Sequence, residues 1–129
     1  MKDRERTKLQ NAVVRGVKLL DKTDADWWKK KNGTVFPGSI DVDNFDMASG
    51  SYCVLGQLDG YYHTGRERLW GHLDRDKAQI QAVRYGFDAG TIGGYKGYSV
   101  LGECWLDVIR CRRSPRRKRP EWMMGRLYI

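Results

Sequence analysis

The sequence predicts a mainly α protein: a compact single domain of four to five helices with Gly-rich loops and a basic C-terminal extension. Three observations carry this prediction. Apolar residues recur at helical spacing in two long stretches, one near each end of the chain. Glycines gather between the helical patterns, above all in Gly90 to Gly97. Positive charge is concentrated in one place: residues 110–129 hold eight Lys and Arg against one Glu, whereas residues 1–109 hold sixteen against fifteen acids. The body is therefore nearly neutral, and the expected division is a helical domain over 1–113 and a basic, partly apolar tail over 114–129.

Taken in order, Leu9, Ala12, Val13, Gly16, Val17 and Leu20 mark one face of an amphipathic helix over about residues 4–21, with Arg4, Lys8, Arg15 and Lys18 on its solvated side. Thr23-Asp24-Ala25-Asp26 has the form of a second helix start, with a capping Thr and acids in the first turn. Trp27, Trp28 and Lys29 to Lys31 would follow, and Gly33 would close that helix. The lysine run then complements a helix C-terminus rather than forming a nucleic-acid patch. Gly33 to Asp43 reads as a loop turning at Pro37-Gly38, with too few alternating apolar residues to define a strand.

Asp43 to Tyr61 (DNFDMASGSYCVLGQLDGY) is the densest stretch of the chain in turn and cap residues. Asp43, Asp46, Ser49 and Ser51 suit turns and helix starts, since their short side chains satisfy nearby N–H groups. A helix from about Ser51 to Leu58, exiting at Gly60, would turn Tyr52, Leu55 and Leu58 or Val54 inward, and Gly56 would admit a neighbouring helix. Arg66 to Trp70 suggests a short helical turn. Leu73-Asp74 opens a helix through Tyr85 with Ile80, Val83 and Phe87 on one face, closed by Gly86, with Phe87 folding back on Ala82. Gly90 to Gly97 is a linker loop free to move, lacking the Lys-Ser pair, preceding strand or glycine spacing of a nucleotide site. Leu101, Cys104, Trp105, Val108 and Cys111 define the last helix, Tyr98 to Arg113, ended by Ser114-Pro115. Beyond it, Trp122, Met123, Leu127, Tyr128 and Ile129 are apolar enough to dock rather than hang free.

Composition excludes several classes. At 129 residues, 40% hydrophobic with five Trp and seven Tyr, the chain is too aromatic to be disordered. No apolar run approaches the roughly 18 residues of a membrane helix, and MKDRERTKLQ is not a signal peptide. Three cysteines without CxxC spacing favour a reducing compartment, so the expected location is the cytoplasm.

Several segments together resemble a family. Leu19-Leu20-Asp21 before a Trp, Phe45-Asp46-Met47, Cys53-Val54-Leu55-Gly56-Gln57-Leu58 with Gly60 and Tyr62, Gly86-Phe87-Asp88-Ala89, and Tyr98, Leu101, Trp105 and Ile109 at YxxLxxxWxxxI spacing are similar to a group of small uncharacterised proteins of actinobacteria and their phages. The resemblance covers about residues 16–110, and the CVLGQL block is its most specific part. It implies a phage or mobile-element setting and a compact helical body. The group has no established activity, so no catalytic role carries over. The insert at Thr34 to Ser39, the Gly-rich loop and the basic C-terminus depart from the group.

Candidate sites follow from the residues themselves. Cys53 in a first helical turn would be favoured as thiolate, with His63 or His72 as base and Gln57 as an oxyanion donor, the arrangement of a thiol-dependent enzyme. Its bland alternative is a small buried hydrophobe, and no signature of a known cysteine enzyme surrounds it. Neither Cys53, His63 and His72 nor Asp41, Asp43 and Asp46 has metal-ligand spacing: the acidic set places Phe45 and Asp46 where a calcium loop needs a ligand and a glycine. No motif implies a cofactor. Among the aromatics, Trp27 and Trp28 are about 100° apart on a helix, so one of them must be partly exposed, and Trp28 is a candidate anchor.

The strongest functional signal is the run Arg110, Arg112, Arg113, Arg116, Arg117, Lys118 and Arg119, seven cations in ten residues, with Trp122 beside it to stack. The expectation is a non-enzymatic accessory protein binding an anionic macromolecule, nucleic acid first. The alternatives are an inhibitor docking on an acidic host or defence protein, a Cys53 enzyme, and an assembly protein whose Trp122 to Ile129 segment docks on a neighbouring copy.

Overall fold

Five helices follow one another in the computed structural model, which describes residues 1–30 and 38–127: α1 (Asp3–Thr23), α2 (Val54–Asp59), α3 (Tyr62–Trp70), α4 (Arg75–Arg84) and α5 (Gly97–Arg113). Single 3-10 turns occupy Gly94–Lys96 and Glu121–Met123, and there is no strand among the described residues. The mainly helical prediction holds.

The frame is the pair α1 and α5, which run side by side in the same direction. Gly93, just before α5, donates its N–H to Glu5 at 2.8 Å, Arg6 faces Glu103, and Arg112 pairs with Asp21 at the other end. Both helices bury the faces their spacing predicts: Leu9, Ala12, Val13, Gly16, Val17 and Leu20 on α1, and Leu101, Cys104, Trp105, Val108, Ile109 and Cys111 on α5. Gly16 sets their approach, because a Cβ there would meet the Tyr85 carbonyl and lie 2.9 Å from the Trp105 ring.

Trp105 is the centre of the core. Trp27 meets it edge-on at 5.6 Å, Phe87 stacks on it at 5.5 Å, and Trp70 packs on Phe87 at 6.0 Å. Its buried indole N–H donates to the Gly86 carbonyl at 2.7 Å. Gly86 is at φ 75°, and the Gly86 and Phe87 N–H groups return to Val83 and Ala82, so α4 closes on the glycine and folds Phe87 back, as predicted.

Four expectations are corrected. There is no helix over Thr23 to Lys29. α1 itself runs to Thr23, whose hydroxyl donates to the Leu19 carbonyl, and Asp24 to Lys29 form turns with Asp26 at φ 64°. The chain turns there because Trp27 enters the core and donates to Asp21, while Asp24 is held by Arg68. Of the adjacent tryptophans Trp27 is buried and Trp28 half-buried; Lys31, Gly33 and the Pro37 turn lie outside the described residues. Second, α2 begins at Val54 rather than Ser51, leaving Tyr52 exposed. Third, Gly56 admits the backbone of Gly50 and Ser51, not a helix. Fourth, Ile80 is 63% exposed. The buried face of α4 is Ala78 and Ala82, and a residue two positions on from Ala78 points about 200° away.

The turn residues of the central stretch act as predicted at Asp46, whose carboxylate accepts from Ala48 N–H, and at Ser49, which accepts from Ser51 and Tyr52. No helix of the described residues is long and apolar enough to cross a membrane.

Candidate functional site

α5 ends where Ser114 leaves helical geometry, and the chain then doubles back along the body. Arg117 N–H closes a turn on the Ser114 carbonyl, Pro120 leads into the 3-10 turn, and Met123 and Leu127 bury against the core. The Trp122 indole donates to Asp107 on α5 at 3.0 Å. Of the apolar residues of this segment, Trp122, Met123 and Leu127 pack on their own chain, Met124 is exposed, and Tyr128 and Ile129 lie outside the described residues; the basic residues before Trp122 are carried on a strap anchored at both ends.

That anchoring separates the seven cations. Arg112 is 10% exposed, forms a two-bond pair with Asp21 and lies over the Trp27 ring at 6.0 Å. Burial works against the Asp21 charge, but hydrogen bonds from Arg112 and Trp27 outweigh it and hold the carboxyl below its usual range. Arg113 donates to the Trp28 carbonyl at 2.6 Å and the Ile40 carbonyl at 2.7 Å, and burial lowers its pKa. These two arginines fasten α5 to α1 and to the segments around Trp28 and Ile40. Arg110, Arg116, Arg117, Lys118 and Arg119 are exposed. Trp28 is half-buried with Lys29 over its ring at 5.6 Å, and Trp122 is half-buried against Asp107.

The Cys53 region is built differently. Cys53 is the N-cap of α2: its sulfur accepts the Gly56 N–H at 3.3 Å. It is buried, and burial, with Asp88 nearby, pushes its thiol pKa up despite the backbone N–H groups that favour thiolate. His63 and Cys53 line one small cavity of about 110 Å³ with Tyr62, Asp88 and Tyr98, but no hydrogen bond joins them; His72 lies elsewhere. Gln57 is buried and its amide is committed to the Asp41 and Tyr52 carbonyls and the Asp41 N–H, so it pins the preceding loop and has no donor left for an oxyanion. Asp41 likewise organises its own turn through Asp43 N–H and Asn44. Among the described residues, no three His, Cys, Asp or Glu side chains converge as metal ligands.

Asp88 is the polar centre that the sequence did not single out. Its carboxylate accepts from Tyr98 at 2.6 Å, Gly90 N–H at 2.9 Å and Gln79 at 2.8 Å, and Gln79 in turn accepts from Tyr62 and Arg66. Burial opposes its charge, but these donors hold its pKa below the usual carboxylate value, while Tyr98 is pushed up to about 12 by burial and by Asp88. The network ties α3, α4 and the start of α5 to the Gly-rich loop.

Compared with family models, with curated proteins and with solved structures, the chain matches none of them.

Proposed function

We propose that this is a non-enzymatic accessory protein of a phage or mobile element that binds nucleic acid through the basic strap following α5. One observation carries the reading: Arg110 in the last turn of α5 and Arg116, Arg117, Lys118 and Arg119 on the segment after it are exposed, and that segment is held in place by α5 on one side and by Met123 and Leu127 on the other. An anchored cationic segment loses less conformational freedom on binding than a free tail, and its mutual repulsion is relieved by phosphates. The setting rests on the resemblance, read from the sequence, of the CVLGQL, GFDA and YxxLxxxW segments to a group of small proteins of actinobacteria and their phages.

The test is a salt titration of binding to mixed DNA and RNA fragments with the full chain, since removal of the strap would also remove the buried Met123 and Leu127. Five phosphate contacts predict a slope of log K against log salt near −3.5 for single strands and about −4.5 for duplex. The Arg110→Gln/Arg116→Gln/Arg117→Gln/Lys118→Gln protein should fall to a slope of about −0.7 to −0.9. No binding at low salt, or an unchanged slope, overturns the reading.

A second reading has one observation in its favour. Met124, on the same segment, is 65% exposed, an apolar tip that a phosphate backbone does not need but an acidic host or defence protein could cover. Binding of that kind would resist competition by DNA.

A further inference from the structure

We propose that the groove between α1 and the end of α4, with the glycine loop that borders it, holds a stretch of single-stranded nucleic acid, its phosphates on Lys8, Arg15 and Arg84 and one base on Tyr95. This rests on the nucleic-acid reading and adds the class of strand, on residues the strap does not share.

The groove has a volume of about 280 Å³. It forms where the end of α4 meets the middle of α1, with Gly86 close against Ala12 and Val13. Ala12, Val83 and Ile92 give it an apolar lining, and Lys8, Arg15, Arg84 and the Asn11 amide complete it. The glycine loop starts beside Val83 at Gly90, contributes Ile92 to the groove and returns to α1 through the Gly93 N–H, which donates to Glu5. The strap lies elsewhere: Arg112, near its start, pairs with Asp21 in the last turn of α1.

Charge is laid out along this groove. No carboxylate is among the described residues that line it, and Lys8, Arg15 and Arg84 form no ion pair with a described residue. Glu5, about one turn before Lys8, has its carboxylate on Gly93. Lys8 and Arg15 are two turns apart, about 10 Å along the helix. The positive charge therefore follows a line, which suits a chain of phosphates better than one small anion. The carbonyls at the end of α4 would repel an anion, but they are taken. Phe87 N–H donates to Ala82, Gly86 N–H to Val83, and Arg15 Nε to Arg84 at 2.8 Å. That last bond also orients the Arg15 guanidinium and leaves its terminal nitrogens for a phosphate.

Tyr95 selects a single strand over a duplex. It follows Ile92 by three residues and is 91% exposed, with the Lys96 ammonium 5.8 Å from its ring centre. Gly93 and Gly94, at φ 78° and 57°, make the turn before it. A tyrosine ring left in water forgoes the burial that Trp27, Trp70 and Phe87 have, and a stacked base restores it. Unpaired bases offer their faces to such a ring, whereas bases within a duplex are stacked on one another.

The experiment uses the full chain, the variants Lys8→Gln/Arg84→Gln, Tyr95→Ala and Tyr95→Phe, and Lys22→Gln/Arg75→Gln as a charge-matched control on exposed residues outside the groove. Arg15 is left intact because it caps α4, and circular dichroism verifies each fold. Fluorescein-labelled oligodeoxythymidylate, an abasic strand of equal length and a DNA hairpin duplex are titrated by anisotropy. The groove variant should weaken both single strands at least about tenfold, and the control neither. Tyr95→Ala should weaken the thymidylate at least about fivefold and leave the abasic strand and the duplex unchanged, with Tyr95→Phe near wild type. Photocrosslinking of a strand carrying 5-iododeoxyuridine should label Tyr95 in wild type and control but not in the groove variant. The strap's contacts set the salt slope of a strand that reaches the strap alone; one long enough to cover the groove as well steepens by about 0.7 for each groove cation it meets.

Unchanged thymidylate binding in the groove variant, or no crosslink at Tyr95, refutes the groove, and binding that still depends on the strap then keeps the broader reading. If the groove variant weakens binding but Tyr95→Ala does not, or Tyr95→Ala weakens the abasic strand or the duplex as much as the thymidylate, the single-strand assignment is overturned. Thymidylate binding that needs the groove and not the strap keeps the groove and removes the strap. No binding by wild type at low salt removes both.

Discussion

Arg113 and the Arg116-Arg117 pair lie three residues apart in one basic run, yet Arg113 is bonded into the body while Arg116 and Arg117 are exposed. Arg113→Ala removes two charge-assisted hydrogen bonds, to the Trp28 and Ile40 carbonyls, and leaves both acceptors in a half-buried setting. At the low end of the range for charged donors, because the site is partly solvated, the loss is about 3 kcal/mol. For a chain of this length that is a fall of roughly 10 °C in Tm, read by thermal and urea unfolding followed by circular dichroism. Arg116→Ala/Arg117→Ala touches only exposed side chains and should stay within about 0.5 kcal/mol of wild type. Binding should reverse the order. Measured where both proteins are folded, the double variant should lower the salt slope by about 1.4 on single strands, while Arg113→Ala should keep the wild-type slope. An Arg113→Ala protein that unfolds at the wild-type midpoint but loses affinity would refute the reasoning, since Arg113 would then serve the ligand.

Three further outcomes are expected. Gly86→Ala combines a left-handed backbone with a Cβ 2.9 Å from the α1 backbone at Ala12 and Val13, whereas Gly94→Ala has the same kind of backbone and open space; urea unfolding should show Gly86→Ala costing about 1–3 kcal/mol more, and equal costs would show that α1 yields. Native protein should resist iodoacetamide at neutral pH, because Cys53, Cys104 and Cys111 are all buried, with Cys104 pushed up to about 12 by burial and by Asp107; Cys53→Ser should keep the α2 cap and Cys53→Ala lose about 1 kcal/mol, and rapid native alkylation would contradict the burial. Finally, the folded-state pKa of Asp88 lies below its unfolded value, so its contribution is complete above about pH 4 and is lost as the pH falls through the folded value; the urea midpoint of Asp88→Asn should fall less steeply in acid than that of wild type, and parallel curves would remove Asp88 as a stabilising carboxylate.

What the sequence disclosed follows from how local each determinant is. α5 and α1 were legible because their apolar residues repeat at helical spacing over several turns. Thr23-Asp24-Ala25-Asp26 was misread because residues that cap a helix start also suit a turn after a helix end. The decision is made by Arg68, 44 positions away, and by Trp27 seating on Trp105. Ile80 was misplaced since the close approach of α4 selects Ala78 and Ala82, and small residues leave little trace in an apolar pattern. The basic run was plain in the sequence, but its division was not. Arg112 and Arg113 are set apart by Asp21 and by two backbone carbonyls far along the chain.

The parallel pairing of α1 with α5 has a consequence for biosynthesis. α1 leaves the ribosome well before α5, the helix it is matched to, and Trp105, the side chain on which Trp27 and Phe87 converge, is added more than eighty residues after α1. Val13, Val17 and Leu20 must wait for that partner, and the entropy of closing a loop of some ninety residues is spent before their contacts form. The nascent chain therefore presents the apolar face of α1 without α5 until those residues are made, and in that interval a holding chaperone would bind it most readily. Folding should complete only as α5 emerges, with no stable N-terminal half along the way.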